Sequence, residues 1–366
     1  MKIAFVIPSL SAGGAERVAT FLANEWSKKG HTLTIVKLDS EEAFYPLEKE
    51  INVFSLNLNR PTLGIFQKIF ENFRRIAILR NTLKSIAPDV IISFITEMNI
   101  LTIFATLNLN IPVLISERTS HKHSVGWMWS IFRKITYPLS TRLIVQTERA
   151  VNAFGRNLRK KTIVIPNPIE NIPLIEKQHS DENKRTIISI GRLVSLKGFD
   201  VLLEAFALLE AEYPDWDLVI VGEGPEGDRL KRLAQRLEIR NRISFLTAIK
   251  NVYEKLRDST LFVLASRYEG FPNALCEAMA VGLPVIATDC DNGPAEIIRP
   301  GIDGWLVPVD DPNALSLSMR KLMDDPELRA SFGNRAREIS KRFSKESVMA
   351  IWEKLIYDVT QGKGFS

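Results

Sequence analysis

The chain has 366 residues, 45% of them hydrophobic and 25% charged, a balance that excludes a disordered, collagen-like or low-complexity protein. At roughly 150 residues per domain, two or three domains are expected, two being the easier reading. The net charge of +5 is uneven: residues 1–168 carry +10 and the remainder −5, so the two parts should meet different partners, and the basic part suits phosphates. Two cysteines, Cys276 and Cys290, exclude a disulfide framework and point to a reducing, cytoplasmic compartment. Four histidines with no paired Cys/His spacing argue against structural zinc.

Apolar runs of strand length alternate with helix-period stretches along the chain. Residues 2–8 read as a strand and 15–29 as an amphipathic helix ending near Gly30. Pro8 and Gly13-Gly14-Ala15-Glu16-Arg17 interrupt any signal-peptide apolar region. Strands follow at 32–38, 89–94 and 112–116, the last two flanking a helix, and then at 142–146 and 162–165. The greasy stretch 90–116 carries Glu97, Asn99, Asn108, Asn110 and Pro112, so it does not make a membrane span. After the polar linker 178–185 the pattern restarts. Strands are expected at 186–190, 217–221, 243–246, 261–265, 284–287 and 305–307, with helices at 198–212, 230–237 and 273–281. The tail 344–358 reads as a helix with Val348, Ile351, Leu355 and Ile356 on one side. This β-α-β alternation predicts two doubly wound α/β domains with parallel sheets, each binding ligands at the carboxyl ends of its strands.

Four motifs carry chemistry. Gly13-Gly14 follows the first strand and opens a helix, where free N–H groups and a partial positive charge favour an anion; a plain strand-to-helix turn is the competing reading. Gly222-Glu223-Gly224-Pro225-Glu226-Gly227 matches G-x-G-x-x-G, but Pro225 lies inside it and no strand-end acid follows about 20 residues on. A dinucleotide oxidoreductase is therefore disfavoured. Gly191-Arg192-Leu193-Val194-Ser195-Leu196-Lys197-Gly198 places Arg192 and Lys197 on a loop before a helix, either as a diphosphate clamp or as a solvated pair. The strongest motif spans 266–280. Glu269 lies just beyond a buried strand, and Gly270-Phe271-Pro272-Asn273-Ala274 leads into a helix that Asn273 can cap. Glu277 sits four residues after Asn273 on nearly the same face. Helix amides would serve phosphate, and the two carboxylates would serve ribose and sugar hydroxyls. A capped helix with a chance pair of glutamates is the bland alternative.

Glu269 and Glu277, with seven residues between them, resemble the E-x7-E element of retaining glycosyltransferases of the GT-B fold, family 4. Gly13-Gly14, Arg192, Lys197 and the Gly222-Glu223-Gly224 turn fall in that family's order and spacing, so the resemblance covers essentially the whole chain. Ser116-Glu117-Arg118 and Gly293-Pro294-Ala295-Glu296-Ile297-Ile298 are similar to the lipopolysaccharide, capsule and undecaprenyl-diphosphate-linked oligosaccharide branch.

The resemblance implies an N-terminal acceptor-binding domain over 1–170, a nucleotide-sugar domain over 171–345, and a helix over 346–366 packing back on the first domain. It implies donor-binding roles for Gly13, Gly14, Arg192, Lys197, Gly222, Glu223, Gly270, Phe271, Pro272, Asn273, Ala274 and Glu277, and a catalytic role for Glu269. Many relatives have a first-domain histidine where this chain has Arg118, which is counted here as catalytic in its place. An arginine cannot act as a base, but it can hydrogen-bond a phosphate or hydroxyl. His121 and His123 are nearby candidates.

The implied reaction is retaining, front-face hexosyl or N-acetylhexosaminyl transfer. The donor would be a UDP-sugar, with GDP-mannose the alternative, and the acceptor a lipid-diphosphate-linked cell-surface glycan. No metal cofactor is expected, because Asp310-Asp311 and Asp324-Asp325 read as turn and helix-cap residues. An epimerase of the same fold and a non-catalytic, membrane-docking sugar-nucleotide sensor remain as alternatives. The segment 61–83 interleaves Phe66, Ile69, Phe70, Phe73, Ile76 and Leu79 with basic residues, and 122–138 interleaves Trp127, Met128, Trp129, Ile131, Phe132 and Tyr137 with Lys122, Arg133 and Lys134. These segments suggest an anionic membrane partner and a peripheral, inner-face location. Nothing resembles a nucleic-acid module.

Overall fold

The computed structural model describes residues 1–11, 13–58, 65–118, 127–169, 185–247 and 252–362. It divides into two compact units: Met1–Asn167 with Val348–Ser366, and Pro168–Ser347. His121, His123 and Lys122 lie outside the described residues, as do the side chains of Phe66, Lys68 and Trp127.

Unit 1 is a sheet of seven parallel strands: β1 (Lys2–Ile7), β2 (Thr32–Lys37), β3 (Asn52–Ser55), β4 (Val90–Phe94), β5 (Val113–Ser116), β6 (Arg142–Val145) and β7 (Thr162–Val164), in the order β3-β2-β1-β4-β5-β6-β7. Side chains alternate across the pleat. Ile3, Phe5 and Ile7 of β1 therefore join one core, and Ala4 and Val6 the other. Four longer helices connect these strands: α1 (Gly14–Lys28), α2 (Ile65–Ile86), α3 (Thr96–Thr106) and α4 (Trp127–Thr136). The first core also takes in the C-terminal helix Lys345–Thr360 through Val348, Met349, Trp352, Leu355, Ile356 and Val359. Trp352 is fully buried, with its ring edge-on to Trp26 at 6.1 Å, and Trp26 in turn packs on Phe5 at 5.8 Å. Lys29 pairs with Glu353 at the rim.

Unit 2 repeats the plan with β8 (Arg185–Ile190), β9 (Trp216–Val221), β10 (Ile243–Leu246), β11 (Leu261–Leu264), β12 (Val285–Thr288) and β13 (Gly304–Val307), all parallel, in the order β10-β9-β8-β11-β12-β13. The helix expected over 198–212 is shorter: a 3-10 turn at Ser195–Lys197 and then Phe199–Ala207. Gly198, with a left-handed φ of +61°, separates the 3-10 turn from the helix, and the missing length is at the other end, where 208–212 form turns. Asp311 and Asp325 do cap helices, accepting from the Ala314 and Leu328 amides. Asn273 does not cap. Pro272 holds the N-cap position without a side-chain bond, so Asn273 is already helical and its side chain is past the place from which a cap reaches back.

The two aromatic–basic segments divide between core and surface. On α2, Leu79 and Leu83 are buried and Ile76 packs on the core, while Phe70 and Phe73 are each 68% exposed. Arg75 and Arg80 are turned inward, donating to the Leu58 carbonyl and to the Ala105 and Leu107 carbonyls. On α4 the expected surface cation Arg133 is only 3% exposed. It is buried close enough to Tyr137 for its charge to act on that hydroxyl, so it cannot serve a membrane surface. Met128, Ile131, Phe132 and Ile135 form an exposed stripe at helical spacing, which Leu139 extends. No described helix is long and apolar enough to cross a membrane.

Trp352→Ala removes the largest apolar side chain that the C-terminal helix inserts into unit 1. Truncations of this kind cost about 3–5 kcal/mol. The unfolding midpoint of the unit should fall accordingly in a denaturant titration, and an unchanged midpoint would contradict this account of the helix.

Candidate active site

In unit 2 the strand order reverses between β8 and β11, the place where open α/β sheets bind ligands. The loop after β8 brings in Lys197 and the loop after β11 brings in Glu269. They meet: Lys197 Nζ donates to Glu269 Oε1 at 2.6 Å, and Ser266 Oγ donates to the same oxygen at 2.6 Å. Glu269 is 6% exposed and Lys197 is half-buried. The expected phosphate cation and the expected sugar-binding carboxylate are thus one coupled pair. Removing either member would leave the other under-compensated. Arg192 is exposed on the same loop, and its side chain makes no hydrogen bond or ion pair among the described residues.

Glycines let these loops touch. A Cβ on Gly198 would lie 2.0 Å from the Ala265 carbonyl oxygen, and one on Gly222 would lie 2.0 Å from that of Gly191. The Leu193 amide donates to the Glu223 carbonyl at 2.8 Å, and the Glu226 amide donates to the Leu193 carbonyl at 3.0 Å. The G-x-G-x-x-G match is therefore a backbone brace for the Arg192/Lys197 loop, with Glu223 exposed beside it. The helix Asn273–Ala280 starts just beyond Gly270, Phe271 and Pro272, and buries Glu277 while Ala274 stays half-buried. Phe271 anchors this start edge-on to Phe343 at 5.7 Å.

Sequence reasoning missed Arg267, which ties the site together. It donates to both Asp200 oxygens at 2.9 and 3.2 Å, to Asp310 and to the Ser195 carbonyl. Cys290 lies near the Lys197–Glu269 pair. Burial, reinforced by Glu269, pushes its thiol up to about 12, so it is inert.

In unit 1 the α1 N-terminus carries an acid of its own. The Glu16 carboxylate folds back over Gly13, where a Cβ would stand 2.1 Å from Oε2. Burial raises its pKa, while hydrogen bonds from its own backbone and from Ser9 work in the opposite sense. The Gly13-Gly14 turn makes room for a carboxylate that the chain supplies itself. Gly14 is exposed next to it.

Beyond β5 stand Glu117 and Arg118. Glu117 is buried and accepts from Thr96 Oγ1 at 2.8 Å and from the Tyr137 hydroxyl at 2.5 Å. Burial, with Glu117 adding to it, drives the Tyr137 pKa well above its usual value. In the sequence only Glu117 carried a signal, as part of Ser116-Glu117-Arg118 directly after a buried strand, and nothing marked Thr96 or Tyr137 as its partners. Arg118 points elsewhere, to Ser116 and Asn167.

The model for glycosyltransferase family 4 matches residues 12–171, and the model for glycosyl transferases group 1 matches residues 171–339. The chain is 31% identical over 360 residues to the Campylobacter jejuni GalNAc-alpha-(1->4)-GalNAc-alpha-(1->3)-diNAcBac-PP-undecaprenol alpha-1,4-N-acetyl-D-galactosaminyltransferase, covering 98% of this chain and 99% of that one. The chain belongs to glycosyltransferase family 4. It is also 26% identical to the Erwinia amylovora amylovoran biosynthesis glycosyltransferase AmsD, over 97% of this chain and 99% of that one. Among solved structures it is similar to sucrose-phosphate synthase from Thermosynechococcus elongatus (TM-score 0.86, 19% identity, 99% and 100% of the two chains). It is also similar to Anabaena HepE in complex with UDP and glucose (TM-score 0.78, 20% identity, 97% and 99%). The two Rossmann-like units are those of the GT-B fold of this glycosyltransferase family.

Gly198→Ala tests the close approach of the loops. It places a Cβ in left-handed backbone against the Ala265 carbonyl, so it should cost about 1–3 kcal/mol in a denaturation experiment. Gly30→Ala has a similar positive φ but open space around it, so it should cost distinctly less. Equal losses would show that the approach of the two loops is not what requires glycine.

Proposed function

We propose that this glycosyltransferase moves a hexose or N-acetylhexosamine, with retention, from a nucleotide sugar to a lipid-diphosphate-linked oligosaccharide. A UDP-sugar is favoured as donor, with GDP-mannose the alternative. The observation that carries the proposal is the Lys197–Glu269 contact at the switch point of unit 2, in a family 4 chain. The donor's diphosphate takes over the Lys197 ammonium, with Arg192 available beside it. Glu269, released from the lysine, then receives sugar hydroxyls, and Glu277 the ribose. The UDP held by a solved relative and the undecaprenol-linked acceptor named in another relative's activity support this choice of substrates.

Retention follows a front-face course. The bond from the anomeric carbon to the diphosphate oxygen breaks, and the bond to the acceptor oxygen forms on the same face. The acceptor proton passes to the departing phosphate oxygen. The protein's contribution is positioning and stabilisation of the leaving charge. Among the described residues no cluster of three His, Cys, Asp or Glu could hold a metal, and Lys197, Arg192 and helix amides are proposed to carry the leaving group without a metal cofactor.

Glu269→Gln should still fold, less stably because Lys197 loses its counter-charge, and should lose turnover. A hydrogen bond to a charged group is worth about 1.5–3 kcal/mol, roughly a ten- to hundredfold change in rate. Lys197→Ala and Arg192→Ala should each weaken nucleoside diphosphate binding in a calorimetric titration, and less than additively when combined. Wild-type rates in the glutamine variant at saturating donor, with unchanged diphosphate affinity in both cation variants, would remove the basis for this site. The overall reaction is checked by nucleoside diphosphate release that requires both donor and acceptor.

The acceptor is reached, on this proposal, by peripheral docking of unit 1 on the inner face of the cytoplasmic membrane. The exposed stripe of α4 supplies the apolar insertion, and Lys134 and the other exposed cations supply attraction worth about 1 kcal/mol each near an anionic surface. Ile131→Ser with Ile135→Ser should lower co-sedimentation with anionic vesicles at high salt, where the electrostatic part is screened. Identical sedimentation of this double variant and wild type would exclude α4 as the inserted element.

A further inference from the structure

Arg118 leaves the carboxyl end of β5 in unit 1. Its Nε donates to Ser116 Oγ at 2.8 Å, and its Nη1 donates to Asn167 Oδ1. The guanidinium lies over the Phe94 ring, 5.6 Å from its centre. Nη2 is buried and has no hydrogen-bond partner among the described residues. Among the described residues no carboxylate neutralises this cation. Glu117, its neighbour in sequence, spends an oxygen on Thr96 and Tyr137.

A buried charge without a counter-charge is costly, and a buried donor without an acceptor adds to that cost. Burial alone pulls the Arg118 pKa down to about 9, which still leaves it a cation at neutral pH. The backbone beside it is strained as well. Ile95, at the end of β4, has φ +73° and ψ 140°, an unfavourable conformation for a β-branched residue, and its amide donates to the Ser116 carbonyl at 3.2 Å. Strain and unspent polar groups gather where a ligand completes the site. At the other expected anion position in this unit, the α1 N-terminus, the Glu16 carboxylate lies against Gly13.

We propose that Arg118 is the anion-binding residue of the N-terminal unit. Its Nη2 donates to an oxygen of a diphosphate group, while Ser116 and Asn167 hold the guanidinium in place and Phe94 supports its face. The assignment places an anion-binding group at the end of β5, apart from the Gly13-Gly14 turn. It rests on the glycosyltransferase reading only for the source of the group, since a nucleotide sugar and a lipid-linked acceptor both carry a diphosphate.

The test is calorimetric titration of the full chain with UDP and, separately, with a short prenyl diphosphate. Wild type, Arg118→Gln and Arg118→Lys are compared, and each is also melted without ligand. Arg118→Gln should lose tenfold or more in affinity for at least one ligand, and Arg118→Lys should recover part of it. The ligand-free melting temperature of the glutamine variant should not fall, because the substitution removes an uncompensated buried charge. Loss confined to the prenyl diphosphate assigns the site to the acceptor, and loss confined to UDP assigns it to the donor. Unchanged affinity for both overturns the proposal, as does a loss that comes with a lower melting temperature and is not relieved by lysine. Binding is read without turnover, so absence of sugar transfer would count against the glycosyltransferase reading and not against this one.

Discussion

Parallel neighbours cannot be joined by a hairpin; the chain must cross over, usually through a helix, before it returns to the sheet. Every described strand pair in this protein is parallel. All loops that follow strands therefore emerge on one edge of each sheet, and all loops that precede strands emerge on the other. In unit 2 this gathers Lys197, Gly222 and Glu269 from stretches far apart in sequence. In unit 1 it gathers Glu16, Ile95 and Arg118. The helices needed for crossing cover both sheet faces, which is why strands such as β4 and β5 are buried along their whole length.

Within that frame, backbone contact sets the finer geometry. The turns after β8 and β9 hold each other by main-chain hydrogen bonds, and the glycines sit where a single carbon would force them apart. Arg267 then locks the loop after β11 to Asp200 and Asp310. Lys197 and Glu269 are held at hydrogen-bonding distance by a scaffold that reacts with nothing, the preorganisation that charge stabilisation in a transition state requires.

The two units treat charge differently. In unit 2 the site cation already has a carboxylate partner, so a ligand must exchange one partner for another. In unit 1 the cation of Arg118 has none among the described residues, while the acid Glu16 stands beside the helix terminus where an anion was expected. An arrangement that is costly without ligand and relieved by one gives up stability for binding, which is the usual direction of that trade-off.

The sequence by itself determined the fold class, because hydrophobic periodicity and the spacing of glycines are local properties. The strands around Phe5, Ile92, Ile188 and Val263 were legible, and so was the carboxylate pair Glu269 and Glu277 on either side of a helix start. Asp311 and Asp325 were legible as caps for the same reason. The sequence did not determine the pairing of Lys197 with Glu269, the closure of Glu16 over Gly13, the burial of Arg133 or the unspent donor of Arg118. Nor did it reveal the Glu117–Tyr137–Thr96 node, whose members come from three separate elements. Each of these is a contact across sequence distance or a choice of helix face. Such features depend on which strands become neighbours and on which side of each helix meets the sheet, and only the packed tertiary structure decides that.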